Sequence, residues 1–66
     1  MMGTVKSFSH GNGYGFLFPD GRPGELYFHM TDVRRVDLSD ICTGQRVSFA
    51  IGERNGRPRA VDVELI

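Results

Sequence analysis

Five of the seven Phe and Tyr residues lie in two short segments, GYGFLF at 13–18 and LYFHM at 26–30. Aromatic rings offer large flat apolar faces that can stack on a planar ligand. In an extended strand, successive side chains point to opposite faces. The first segment would therefore place Tyr14, Phe16 and Phe18 on one face and Leu17 on the other. Three rings on one face form either part of a core or an exposed platform.

The second segment also divides into two faces. One face would be apolar and buried, with Leu26, Phe28 and Met30, and the other amphipathic and partly hydrated, with Tyr27 and His29. Periodicity alone leaves open the alternative in which the rings form the core and the aliphatic residues pair elsewhere.

An aliphatic core would leave an aromatic cluster exposed. If Leu17 packs with Leu26 and Phe28, we expect the remaining core residues to be Val5, Val47, Phe49 and Ile51. The cluster left outside would comprise Tyr14, Phe16, Tyr27 and His29. An exposed cluster of this size is unusual unless it binds a ligand. Nucleobases are the natural ligand because every base has a π face.

The elements that must position these rings are short strands, predicted at 3–9, 14–18, 25–30, 45–51 and 58–65. The Asn55-Gly56 pair is a strong hairpin signal between the last two strands. Segment 31–43 is a long connection, in which Thr31 and Asp32 can cap a single helical turn. Five strands with one long third connection predict an all-β fold, a five-stranded antiparallel OB-fold barrel that binds oligonucleotides across its second and third strands.

Length and composition set the class of protein. The chain has 66 residues, so we expect one domain over residues 1–66. No apolar run resembles a signal peptide or a membrane span, which favours the cytoplasm. Cys42 is the one cysteine, which excludes an internal disulfide, and we expect it to be a small buried apolar residue.

Charge is balanced, with eight basic and eight acidic residues, which is weak for a protein that holds a polyanion. The stretch 44–60 is locally basic, however, and its arginines are Arg46, Arg54, Arg57 and Arg59. Arginine can lie on bases as well as pair with phosphates. Balanced charge also keeps open an alternative, a barrel-fold protein-interaction module that has weakened or lost nucleic-acid binding.

Other chemistries find little support. The glycine-rich run 11–15 leads into a strand, whereas phosphate-binding loops lead into a helix. His10, His29 and Cys42 are too scattered for a metal site, and no nucleophile has a base beside it in the pattern. We expect no enzymatic activity, no metal, no other cofactor and no small-molecule substrate.

Several of these segments resemble the cold-shock domain family. GTVK at 3–6 with Phe8 is similar to its opening strand, GYGFL at 13–17 to its first ribonucleoprotein motif, and LYFHM at 26–30 to its second. Gly44-Gln45 with Val47 and Phe49, followed by Pro58 and Ala60, is similar to its last two strands. The resemblance covers essentially the whole chain and implies a binder of single-stranded RNA or DNA with loose sequence preference, acting as a nucleic-acid chaperone or regulator of gene expression.

The resemblance also implies roles for single residues. Tyr14, Phe16, Tyr27 and His29 would stack bases. Flanking contacts would come from Lys6, Phe8, Met30 and Leu38. We expect Arg57 and Arg59, in the locally basic strands, to hold the nucleic-acid backbone. We expect a monomer, with strand exchange through 31–43 as the alternative.

The chain departs from the family pattern at several of these sites. Ser7 stands where the family usually has tryptophan, Asn12 where it has lysine, Met30 where it has phenylalanine, and Leu38 where many members have an aromatic residue. Losing one stack removes about 1–3 kcal/mol, roughly tenfold to a hundredfold in affinity. We therefore expect weaker binding than is typical of the family, with Phe18 as an additional ring that could partly compensate.

Overall fold

Five antiparallel strands form one sheet in the computed structural model, which describes residues 1–35 and 37–66. The elements are β1 Met2–Ser9, β2 Tyr14–Pro19, β3 Leu26–His29, β4 Arg46–Arg54 and β5 Arg57–Leu65, with 3-10 turns at Met30–Asp32 and Leu38–Asp40. The strand order is β3-β2-β1-β4-β5. This confirms the predicted all-β, five-stranded antiparallel barrel. None of the helices in the described residues has the length and apolar character needed to cross a membrane.

The hairpin between β4 and β5 follows from its turn residues. Asn55 and Gly56 have φ of 54° and 78°, as a type I′ turn requires. The ladder continues to the pair Arg54 and Arg57, so β4 is longer than predicted. Beyond Phe49 the hairpin extends past β1, which pairs with β4 only from Arg46 to Ser48.

The barrel closes where the edge strands β3 and β5 face each other. Val33 forms an isolated parallel bridge with Val63, and the Arg34 amide donates to the Val63 carbonyl at 2.8 Å. An ion pair between Asp32 and Arg59 spans the same gap. We call these five residues the seam. It covers the two edges that an open sheet would leave exposed.

The core lies inside the barrel and contains six of the predicted residues, Val5, Leu17, Leu26, Phe28, Val47 and Phe49. Ile41, Ala60 and Val63 complete it. Ile41 comes from the long connection, whose residue Val36 lies outside the described part of the chain.

Three burial predictions were wrong. Met30 is 44% exposed and Ile51 39% exposed. Met30 begins a 3-10 turn, so the strand alternation no longer applies to it. Ile51 lies on the part of the hairpin that extends past β1. Cys42 is exposed, because its neighbour Ile41 takes the buried position at that end of the barrel.

The predicted helical turn after β3 is present, with a different N-cap. His29 is the N-cap, and its ring accepts a hydrogen bond from the Thr31 amide at 3.2 Å. The Asp32 carboxylate accepts one from the His29 amide at 2.9 Å. These reciprocal bonds form a capping box. The turn thereby fixes the end of β3.

Candidate functional site

The pairing of β2 with β3 brings four predicted side chains together. Tyr14 lies opposite His29 and Phe16 opposite Tyr27. All four are partly exposed, whereas the alternating residues Gly15, Leu17, Leu26 and Phe28 are buried. The aliphatic core therefore leaves the rings outside, as predicted. We call Tyr14, Phe16, Tyr27 and His29 the aromatic platform.

The platform rings contact one another without covering one another completely. Tyr14 and Tyr27 have centroids 5.8 Å apart with planes inclined by 28°. Phe16 meets Tyr14 edge-on at 6.1 Å and Tyr27 at 5.9 Å. Aromatic pairs at such distances attract each other. These mutual contacts favour the arrangement of rings that a ligand would meet, which lowers the entropy cost of binding.

Phe8 and Leu38 lie beside the core rather than on the platform. The Phe8 ring is stacked on buried Phe28 at 5.6 Å and meets His10 edge-on at 4.9 Å. Both Phe8 and Leu38 are partly buried against the core. His10 Nε2 lies 3.1 Å from the Leu38 carbonyl, so this ring links the turn after β1 to the long connection.

Met30 extends the apolar surface next to Tyr14 and His29. Its amide donates to the Gly13 carbonyl at 2.8 Å. Its thioether covers Gly13, where an added Cβ would lie 2.9 Å from the sulfur and where φ is +73°. Glycine is therefore required before β2 if Met30 is to lie there. Sulfur is polarisable and can contact a base or ring edge.

Lys6, on β1, is predicted to contact the nucleic-acid backbone. Its Nζ lies 2.6 Å from Glu25 Oε2 and 5.9 Å from the centroid of exposed Phe18. Both members of the pair are substantially exposed. Because exposed ion pairs contribute little, Lys6 can exchange this carboxylate for a phosphate at small cost.

Arg57 and Arg59 lie in different environments. Arg57 is exposed, and it faces Arg54 across the hairpin. Arg59 is 8% exposed, and its guanidinium binds the Asp32 carboxylate through Nη2 and, at 3.1 Å, through Nε. Its guanidinium carbon lies 5.7 Å from the Tyr27 centroid. Arg57 is open to a ligand, while Arg59 is engaged with Asp32 in the gap between β3 and β5.

A cleft of about 560 Å³ opens between the start of β3 and the β4–β5 hairpin. Tyr27, Arg54, Arg57 and Pro58 are among the residues that line it. The cleft is continuous with the platform through Tyr27. Arg54 was not among the residues predicted for the site, although the Asn-Gly turn signal already implies that it faces Arg57.

Five of the eight basic residues form ion pairs with carboxylates, and four of these pairs are exposed. Ion pairs join Lys6 to Glu25, Arg34 to Asp62, Arg35 to Glu64, Arg46 to Asp20 and Arg59 to Asp32. Within residues 1–35 and 37–66, Arg22, Arg54 and Arg57 form no such pair. Two of these three line the cleft together with Glu25, whose carboxylate is paired with Lys6, so the cleft has an excess of positive charge although the net charge of the chain is zero.

The barrel and its platform together define a class, the OB-fold domains that bind nucleic acid on the second and third strands. Comparison with known proteins agrees with this. The family model described as 'Cold-shock' DNA-binding domain matches residues 1–66. The chain belongs to the cold-shock domain family, whose members bind nucleic acid, and the resemblance in its motifs is confirmed.

Individual relatives cover nearly the whole chain. It is 34% identical to a cold shock-like protein of Aquifex aeolicus over 64 residues, covering 97% of this chain and 91% of that one. It is 33% identical to a cold shock protein of Arthrobacter globiformis, covering 97% and 96%. Among solved structures it matches the Drosophila Unr CSD456 with a TM-score of 0.77 and 30% identity, covering 98% of this chain and 26% of that one.

Proposed function

We propose that the protein binds single-stranded RNA or DNA by stacking successive bases on the aromatic platform. The observation that supports this most directly is the placement of four partly exposed rings side by side on β2 and β3. Stacking requires unpaired bases, since a duplex hides the base faces against each other. Each stack contributes about 1–3 kcal/mol and tolerates any base.

The nucleic-acid backbone would be held by basic side chains beside the platform. Arg57 and Arg54 lie at the cleft next to Tyr27, and Lys6 lies on the first strand, in an exposed ion pair. Met30, Phe8 and Leu38 would extend the apolar surface around the rings. Because stacking and phosphate contacts dominate this arrangement, we expect a loose sequence preference.

Such binding gives a function by mass action. A protein that binds only unpaired strands stabilises the open form of a nucleic-acid hairpin by a free energy of RT ln(1 + [L]/Kd), where [L] is the concentration of free protein. We infer a role as a nucleic-acid chaperone or regulator of gene expression in the cytoplasm, without enzymatic activity. The acting species would be the monomer, and size-exclusion chromatography distinguishes it from a strand-exchanged dimer.

The second candidate function is a protein-interaction module. The engagement of five of the eight basic residues with carboxylates favours it, as does the presence of Ser7 and Asn12 in place of a ring and a cation. A protein partner on the aromatic platform would bind with weak salt dependence. A single strand loses affinity with a log–log salt slope of about −0.7 per neutralised phosphate.

Fluorescence anisotropy with labelled pyrimidine-rich heptamers of DNA and RNA, at two salt concentrations, tests the proposal. We expect Phe16→Ala to lower affinity by about tenfold or more, because it removes one stack. Ile51→Ala is the control, since Ile51 is exposed but lies outside the platform. Unchanged affinity in Phe16→Ala would reject base stacking, and a failure of the natural protein to bind either heptamer would favour the protein partner.

A further inference from the structure

Half of the aromatic platform lies on an edge strand. Tyr27 and His29 belong to β3, which pairs with β2 on one side only. Its other side faces β5, where the backbone contacts of the seam begin only beyond β3, at Val33 and Arg34. An edge strand held on one side opens more easily than a central strand. The positions of these two rings therefore depend on what spans the gap to β5.

The side chains of Asp32 and Arg59 span this gap. Asp32 Oδ2 accepts three hydrogen bonds, from the His29 amide at 2.9 Å, from Arg59 Nε at 3.1 Å and from Arg59 Nη2. The two side chains are 11% and 9% exposed. A buried ion pair is costly unless its other polar atoms also find hydrogen-bond partners, and this need restricts the geometry of the pair. The carboxylate thus joins the backbone at the end of β3 to β5.

The same arginine also contacts a platform ring. The Arg59 guanidinium carbon lies 5.7 Å from the Tyr27 centroid, over the ring, which is a cation–π distance. Arg59 therefore reaches both platform residues of β3, Tyr27 directly and His29 through Asp32. Its charge is already balanced, which makes it a poor candidate for the phosphate contact expected from the sequence.

We propose that Arg59 and Asp32 are positioning residues of the base-stacking platform, which hold the Tyr27 and His29 rings in register with Tyr14 and Phe16. This rests on the proposed function and assigns Arg59 a role different from that of Arg57. The planar fork of arginine suits this arrangement, because Nε and Nη2 bind one carboxylate while the guanidinium carbon lies over the ring. Lysine offers neither feature.

The first test uses the free protein and needs no ligand. In nuclear magnetic resonance spectra of Arg59→Gln, we expect shifted and broadened signals from the His29 amide and the Tyr27 ring. Arg57→Gln is the matched control, since it removes the same charge from an exposed position and should leave these signals in place. Arg59→Lys keeps the charge and should restore the His29 amide signal in part.

The second test is a double-mutant cycle measured by anisotropy with the pyrimidine heptamer. Arg59→Gln should lower affinity about three- to tenfold, which is within the usual range for coupled residues, without changing the salt slope. In a Tyr27→Ala/His29→Ala background this loss should disappear, because Arg59 acts through those rings. Arg57→Gln should lower affinity by an equal factor in the natural protein and in the Tyr27→Ala/His29→Ala background. It should also make the salt slope less steep by about 0.7.

The outcomes separate the two proposals. Unchanged His29 and Tyr27 signals in Arg59→Gln would overturn the positioning role. It would also be overturned if Arg59→Gln lowered affinity by the same factor in the Tyr27→Ala/His29→Ala background and reduced the salt slope. If the natural protein binds no single strand, the proposed function fails, while the spectra still decide whether the pair positions the rings. Should Arg59→Gln not fold, the near-isosteric Asp32→Asn, which removes the charge that pairs with Arg59, should shift the same His29 and Tyr27 signals, and unchanged signals there would equally overturn the positioning role.

Discussion

At the scale of single residues, Ser7 is the departure with the clearest consequence. It is exposed and lies opposite Phe16 in the ladder between β1 and β2, just after a register shift. Residues directly opposite each other in an antiparallel pair have their Cβ atoms about 4.5–5.5 Å apart and share a face. A large ring at position 7 would therefore extend the platform beyond Phe16, where the chain now presents a hydroxyl.

We predict that Ser7→Trp tightens binding to a pyrimidine-rich single strand by about tenfold or more, because it adds one base stack. Titration of the labelled heptamer, followed by anisotropy and by quenching of the new indole fluorescence, measures this. Ser7→Leu is the control for added apolar area without a flat ring. Equal affinities in the tryptophan variant and the natural protein would place position 7 off the path of the ligand.

At the scale of elements, the sequence predicts those parts of the site in which the two-residue alternation of a strand decides the face of each side chain. The faces of β2 and β3 follow from a period of two, so Leu17, Phe28 and the platform rings were placed correctly. Alternation ends with the strand, and this is why Met30, at the start of a 3-10 turn, was assigned to the core wrongly. The pair of Asp32 with Arg59 joins residues 27 positions apart. Nothing in local spacing indicates it, because it depends on how the barrel closes.

A second ion pair links elements on the surface. Arg46, on β4, binds Asp20 in the loop after β2 at 2.9 and 2.6 Å, and its Nη1 also donates to the Thr4 hydroxyl at 2.9 Å. The hydrogen bond from Arg46 lowers the pKa of the Asp20 carboxyl and raises that of the arginine. Arg46 thereby connects β4 to β1 and to the loop after β2 at one end of the barrel.

The lowered pKa of Asp20 predicts the direction of a pH effect. The folded state prefers the ionised carboxylate, so its contribution to stability is present above the unfolded pKa of about 4 and is lost as pH falls through the lowered folded pKa. Because the pair is exposed, the effect is small. Melting temperatures of the natural protein and Arg46→Gln, measured from pH 2 to 7, should converge at the acidic end. A constant difference across this range would contradict the prediction.

At the scale of the whole molecule, the balanced charge is compatible with nucleic-acid binding because only some of the basic residues have carboxylate partners. Five basic residues have carboxylate partners, and Arg54 and Arg57 line the cleft next to the platform. Only a few phosphates can then be neutralised. We expect a shallow salt dependence, with a slope between about −1.4 and −2.1, corresponding to two or three phosphates. The number depends on Lys6, because a phosphate must compete with Glu25 for its ammonium group.

Glu25→Gln tests how this competition limits affinity. Removing the carboxylate frees Lys6, whose Nζ it holds at 2.6 Å, and we predict a gain of about two- to fivefold in affinity for the heptamer at low salt, since exposed pairs are weak. The slope should steepen by up to about 0.7, one further phosphate. Asp62→Asn is the control, because it makes the same change in net charge on β5, where it frees Arg34. Equal gains in both variants would show that the overall field, and not Lys6, sets the affinity.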